Sequence, residues 1–146
     1  METINNLVEE IAQTVFDNVP VDNWNKVIVQ TSILSTYVEL TATYYINDVK
    51  EKSFDPNYEN APEEKTVDYL FIKLREAMYK LAPNKGAWYN VEMVINEDGD
   101  FEINYDYDNK PNFEMEPDKE EYVIDNQEFP RDEASTPSWL TPFIQV

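Results

Sequence analysis

The sequence predicts an α+β fold: an antiparallel β-sheet of two hairpins, packed by an N-terminal helix and a long central amphipathic helix. Three observations carry this expectation. Apolar residues recur at 3,4-spacing in two stretches, Ile4–Val15 and Val67–Leu81, the period of a helix with one buried stripe. Segments rich in Val, Ile, Thr and Tyr follow each of them, the composition of strands. Hydrophobic residues make up 42% of the 146, with 10 Tyr, 7 Phe and 3 Trp, too rich for a disordered acidic chain. That length suits one domain with its own core, here 1–146. Residues 1–110 form the helix–hairpin–helix–hairpin part, and an irregular, Pro-rich acidic segment, 111–146, packs back on it.

Each element has its own signal. In the first helix, Thr3 to about Asn18, the stripe is Ile4, Leu7, Val8, Ile11 and Val15. Thr3 is a candidate N-cap and Pro20 the stop. Trp24–Ile33 and Thr36–Ile46 form an antiparallel hairpin across the short gap Leu34-Ser35, with Val27, Val29, Thr31 and Ile33 on one face. Trp24 reads as a core residue and so does Tyr44, whereas Tyr45 reads as exposed. Asn47–Lys65 is polar with two prolines and reads as a loop of about twenty residues, unusually long for a compact domain; its start, Val49–Phe54, is a candidate third strand. The second helix spans Pro62–Ala82, with Val67, Leu70, Phe71, Leu74, Met78 and Leu81 on its apolar stripe. Pro62 suits its first turn, and Glu63 and Glu64 suit the positive end of its dipole.

Ala87–Asp108 is a second hairpin whose register follows from polarity. A two-residue Asp98-Gly99 turn would set Ile95 against Glu102. A three-residue loop, Glu97-Asp98-Gly99, pairs Ile95 with Phe101, Met93 with Ile103, Val91 with Tyr105 and Tyr89 with Tyr107. The second register is expected, because a one-residue slip would flip a whole apolar face. It also puts Gly99 where such a loop needs a left-handed residue. Asn109–Val146 holds five of the nine prolines. A short helix is expected from Pro117 to about Asn126, and Phe129, Trp139, Leu140, Phe143 and Ile144 are too apolar for a free tail.

Composition excludes much chemistry. With no Cys and no His, thiolate catalysis, Ser-His-Asp catalysis and Cys-ligated metal centres are absent from the chain. Two glycines leave no room for a dinucleotide or phosphate-binding loop. A net charge of −19 argues against a nucleic-acid backbone or an anionic membrane as partner. Met1–Phe16 lacks the basic and continuous apolar regions of a signal peptide, and the expected location is the cytoplasm. No cofactor is expected.

The charge is unevenly spread. Between Val91 and Glu133 stand 16 acids against three bases, Lys110, Lys119 and Arg131. The outer face of the second hairpin is expected to show Glu92, Glu102, Asn104, Asp106 and Asp108, with Trp88 and Val94 among them and Asp98 at the tip. Such a field attracts a basic partner and speeds association, and an aromatic set among carboxylates reads as an interface anchor. The candidate partner-binding residues are therefore Trp88, Glu92, Asp98, Glu102, Asp106 and Asp108; a merely solubilising acidic face is the plainer reading. Asp106 and Asp108 would lie roughly 7 Å apart on one strand, a carboxylate pair of the kind hydrolases use. So acidic a chain holds many such pairs, and no catalytic residue is assigned. Aligning Val94–Gly99 with a calcium loop puts Val94 and Tyr105 at ligand positions, so no metal site is assigned.

The order of helix, Trp24-Asn25-Lys26-Val27 with its hairpin, helix Val67–Leu81 and second hairpin resembles a known family. The residues Trp88-Tyr89-Asn90-Val91-Glu92-Met93 and Glu97-Asp98-Gly99-Asp100-Phe101-Glu102-Ile103-Asn104-Tyr105-Asp106-Tyr107 carry most of the likeness. It is to the YezG-like immunity proteins (antitoxins) of bacterial polymorphic toxin systems, over about residues 1–110; the Pro-rich tail departs from the more helical C-terminus that the family leads one to expect. The resemblance implies a small α+β domain without catalysis that binds and neutralises a cognate toxin domain, often a nuclease. A basic nuclease groove matches the acidic composition, and occlusion of that groove is the expected mechanism. The alternative is a general acidic interaction module, a chaperone or adaptor for a secreted basic protein.

Overall fold

The computed structural model describes residues 2–144. Helix α1 (Glu2–Asp17) leads into strands β1 (Lys26–Leu34), β2 (Tyr37–Ile46) and β3 (Val49–Phe54), then helix α2 (Val67–Leu81), strands β4 (Asn90–Asn96) and β5 (Phe101–Asp106), and helices α3 (Lys119–Glu128) and α4 (Thr141–Ile144). The five strands form one antiparallel sheet in the order β3-β2-β1-β4-β5. Both helices with a strong apolar stripe lie on one face. Val8, Ile11 and Val15 of α1 and Val67, Leu70, Phe71 and Leu74 of α2 close over Val27, Val29, Ala42, Val91, Met93 and Ile95. Each such side chain, fully buried, stabilises the fold by about 1.5–3 kcal/mol. None of the described helices is long and apolar enough to cross a membrane.

Several local expectations are corrected. Thr3 lies inside α1, which already runs from Glu2, so it is no N-cap. The candidate third strand at the start of Asn47–Lys65 is present, as β3 with the expected bounds Val49–Phe54. The β2–β3 turn is Asn47-Asp48, both at positive φ (50° and 63°), the pattern of a two-residue hairpin turn whose twist suits the strands. Asn25 holds it, donating to Asp48 Oδ1 and accepting from the Asp48 N–H. Helix α2 starts at Val67, capped by Thr66, whose Oγ1 accepts from Tyr69 N–H; Pro62 precedes a separate 3-10 turn, Glu63–Lys65. Leu81 ends the helix exposed, past the edge of the core. Trp24 and Tyr44 are buried, as expected, and Tyr45 is half-buried.

The second hairpin has the expected register, with Ile95 opposite Phe101, Met93 opposite Ile103 and Val91 opposite Tyr105. Gly99 takes φ 91° in its loop. Regular pairing ends at Asn90–Asp106, so the expected Tyr89–Tyr107 pair is not made. The Tyr89 carbonyl accepts from Ile33 N–H of β1 (3.0 Å), while its N–H donates to Asp106 O of β5 (2.9 Å). In a regular strand both groups of one residue point to the same neighbour. This residue has turned, and the in-out alternation breaks there.

The C-terminal segment packs back on the sheet, at the end where β1 turns into β2. Leu34, Tyr89 and Tyr122 form a second apolar cluster with Phe113, Trp139 and Phe143. A buried ion pair joins this layer to the helices. Arg75 of α2 donates to both oxygens of Asp125 of α3 (2.6 and 3.1 Å) and through Nε to Trp88 O (2.6 Å). Asp125 Oδ1 also accepts from Ser35 N–H and Oγ–H. The β1–β2 turn, Ser35-Thr36, holds no residue at positive φ and so needs no glycine; a carboxylate from α3 pins its backbone.

Candidate functional site

The outer face of the sheet, opposite α1 and α2, carries the even-numbered side chains of β1, β4 and β5 and the odd-numbered ones of β2. Cross-strand pairing sets them in rows. Ile28 lies beside Thr43 and Val94, and Val94 beside Glu102; Gln30 lies beside Thr41 and Glu92, and Glu92 beside Asn104; Ser32 lies beside Glu39 and Asn90, and Asn90 beside Asp106. Ile28 and Val94 are half-buried at the centre of this face, and Glu102 is exposed beside them. At one end Lys26 sits over the Tyr45 ring (4.7 Å). Toward the other end the charge becomes acidic, through Glu92, Glu39 and Asp106.

The segment 109–116 crosses that acidic end as a strap. Asn90 is its main anchor: its Nδ2 donates to the carbonyls of Asn109 and Lys110, and its Oδ1 accepts from Asn112 N–H. Glu39 is the second anchor, accepting from the N–H groups of Glu114 (2.7 Å) and Met115 (3.1 Å) and from the Tyr37 hydroxyl (2.7 Å). Partial burial acts to raise the Glu39 carboxyl, but these three donors outweigh it and hold it below its ordinary value. Asp106 is treated likewise. Burial acts to raise it, yet the Asn109 side chain and the N–H groups of Asn109 and Asp108 lower it overall. Sheet and strap bound an open concavity of about 1020 Å³ that Glu39, Glu92, Asp106 and Glu114 line, with Lys110 at its rim.

The structure brings together Glu92, Glu102 and Asp106 of the predicted residues. Asp98 is exposed at the hairpin tip, where its Oδ1 accepts from Asp100 N–H. Asp108 is exposed beyond β5, and its carbonyl accepts from Trp139 Nε1 (2.6 Å). Trp88 is corrected outright. It is 0% exposed and lies on the inner face, edge-on to Phe71 at 6.4 Å and against Tyr105. The turned residue Tyr89 is the reason: it reverses the alternation, sending Trp88 inward and Tyr89 to the second cluster. Sequence reasoning also missed Tyr37, Glu39 and Asn90, which act only through the strap, and Ile28 and Tyr45, the apolar part of the outer face. It missed Arg75 too, although a visible signal existed: Arg75 follows Leu74 and lies four residues after Phe71, inside the buried stripe.

Among the described residues no group of three or more carboxylates converges as a metal site requires. The arrangement offers a surface with an apolar centre and an acidic rim, suited to binding a macromolecule. The family model described as immunity protein YezG-like matches residues 4–135. The chain belongs to the YezG-like immunity protein family. Membership implies a cognate toxin as binding partner and an antitoxin role; such proteins generally act by binding and without catalysis. The match extends past residue 110 and takes in the strap and α3, so this part of the acidic tail is family structure too. No curated protein matches the chain.

Proposed function

We propose that this immunity protein neutralises a toxin domain with a basic surface, a nuclease in the reading its charge favours, by laying the outer face of β4 and β5 over it in the cytoplasm. One observation carries this reading. Half-buried Ile28 and Val94 form an apolar centre that no described element covers, and Glu92, Glu102 and Asp106 stand around it. Interfaces are built in this way, with an apolar core and a polar rim. A groove that binds phosphates must be basic, and an acidic cover both matches it and accelerates encounter. Asp106 is committed to the 106–109 turn and contributes its charge; Glu102 is exposed, and Glu92 gives up only a 3.3 Å hydrogen bond from Gln30 Nε2 to pair across an interface.

The test uses the cognate toxin domain, to be sought among the proteins encoded by neighbouring genes, first for rescue by co-expression and then for binding kinetics. Glu92→Lys together with Glu102→Lys is expected to slow association by about tenfold or more at low salt, with a smaller effect at high salt. The thermal midpoint is expected to stay unchanged, as both positions are on the outer face. Unaltered association at low salt would remove the face from the interface.

A further inference from the structure

The free edge of β5 is the feature that goes furthest beyond this reading. Strand β5 is last in the sheet. Asn96 N–H donates to Asp100 O (2.8 Å) at the start of the hairpin ladder, so the even-numbered residues of β5 exchange hydrogen bonds with β4. By the alternation of antiparallel pairing, Phe101, Ile103 and Tyr105 direct their N–H and C=O groups away from the sheet. Among the described residues only the end of this edge is capped, where Arg131 donates to Tyr107 O (2.7 Å).

Natural edges carry devices that stop them pairing: charged side chains, lysines above all, prolines and bulges. The opposite edge, β3, has lysines and a bulge. Lys50 and Lys52 are exposed on it, and its register with β2 shifts between Thr43 and Tyr45. Strand β5 has neither lysine nor proline, and it pairs without a shift over six residues. Its charges are the carboxylates Glu102 and Asp106, which repel acidic strands and leave the edge open to a basic one. A groove of about 490 Å³ also lies beside it on the inner side, between Glu9, Ala12, Gln13 and Phe16 of α1 and Gly99 and Phe101 of the hairpin, with Ala12, Phe16 and Phe101 as its apolar part. A strand added about 4.8 Å beyond β5 would set its inward side chains there.

Charge selects the occupant. The outer side of the edge carries Glu102 and Asp106, and Glu97, Asp98 and Asp100 surround the tip. A second copy of the chain, paired antiparallel about Ile103, would set Asp100 against Asp106 and is opposed by like charge. We propose that a basic extended segment of the cognate toxin adds a sixth strand to β5, with alternate Lys or Arg side chains over Glu102 and Asp106 and alternate apolar side chains in the groove on α1. This rests on the reading of the chain as a toxin-binding protein, and it adds the mode of binding.

Amide hydrogen exchange on the unaltered chain, alone and with its cognate toxin domain, tests this. Complex formation is followed separately by gel filtration. In the free chain the amides of Phe101, Ile103 and Tyr105 are expected to exchange fast, and in the complex to slow at least a hundredfold. A complex that forms while these three stay fast overturns strand addition and leaves the toxin-binding reading intact. Failure of any complex to form overturns both. Protection that appears in the chain alone as a dimer forms overturns the proposal in favour of self-pairing. Ile103→Pro removes an N–H that points away from β4 and spares the ladder; it is expected to weaken toxin binding at least tenfold. Should that variant misfold, exchange on the unaltered chain still decides.

Discussion

The two faces of the sheet come from the same five strands, yet they differ in every property that side chains set. The inner face is buried, nearly free of charge and roofed by α1 and α2. The outer face is acidic, partly open, and covered at one end only by a hydrogen-bonded strap. Burial decides the difference. On the inner face a carboxylate would lose its hydration without a partner, so the chain places Val, Ile, Met, Phe and Trp there. On the outer face charge costs little and remains available to a partner. Inner-face changes should therefore alter stability, and outer-face changes should alter association.

The largest expected effect lies where the coverings of the two faces meet. Asp125→Ala leaves the Arg75 guanidinium buried and unpaired, and should cost about 3–5 kcal/mol in denaturant unfolding. A cost below about 1 kcal/mol would mean that α3 is not coupled to the helix layer. Trp88→Phe should cost about 1–3 kcal/mol through the space it leaves. Part of that is offset, as the buried Trp88 Nε1 has no hydrogen-bond partner among the described residues. Its toxin affinity should hold; an affinity loss at unchanged stability would break the contrast between the faces.

The smallest effect is the response to acid. The Glu39 and Asp106 carboxyls are held below their ordinary 4.5 and 3.8. Their contribution is therefore present in full above those values and is lost as pH falls through the lower folded ones. Below about pH 4, the amide resonances of Asn112, Glu114 and Met115 should shift before those of Val91 and Met93 on the inner face. Simultaneous loss would show that the strap is not the weaker cover.

The register of the second hairpin was legible in the sequence because polarity alternates strictly from Phe101 to Tyr105, and from Val91 to Ile95 with the single exception of Val94. The acidic rim residues Glu92 and Glu102 were legible for the same reason. Trp88 was not. Alternation predicts an outward side chain, and only the turned peptide at Tyr89, bonded to β1 by its carbonyl and to β5 by its N–H, sends it inward. Strand β3 was legible as a candidate with its correct bounds, and no more than that, since an edge strand with exposed, charged side chains buries too little to show a pattern.

Local sequence thus determined the helices, the strand faces and the sign of the surface, because spacing and charge act between near neighbours in the chain. Tertiary structure alone decided that Trp88 is core, that Asp125 of α3 closes the β1–β2 turn ninety residues earlier, and that one sheet edge is guarded while the other is open. Those outcomes depend on hydrogen bonds and ion pairs between residues far apart in sequence. Their partners are selected by packing, and packing exists only once the sheet and its two covers have formed.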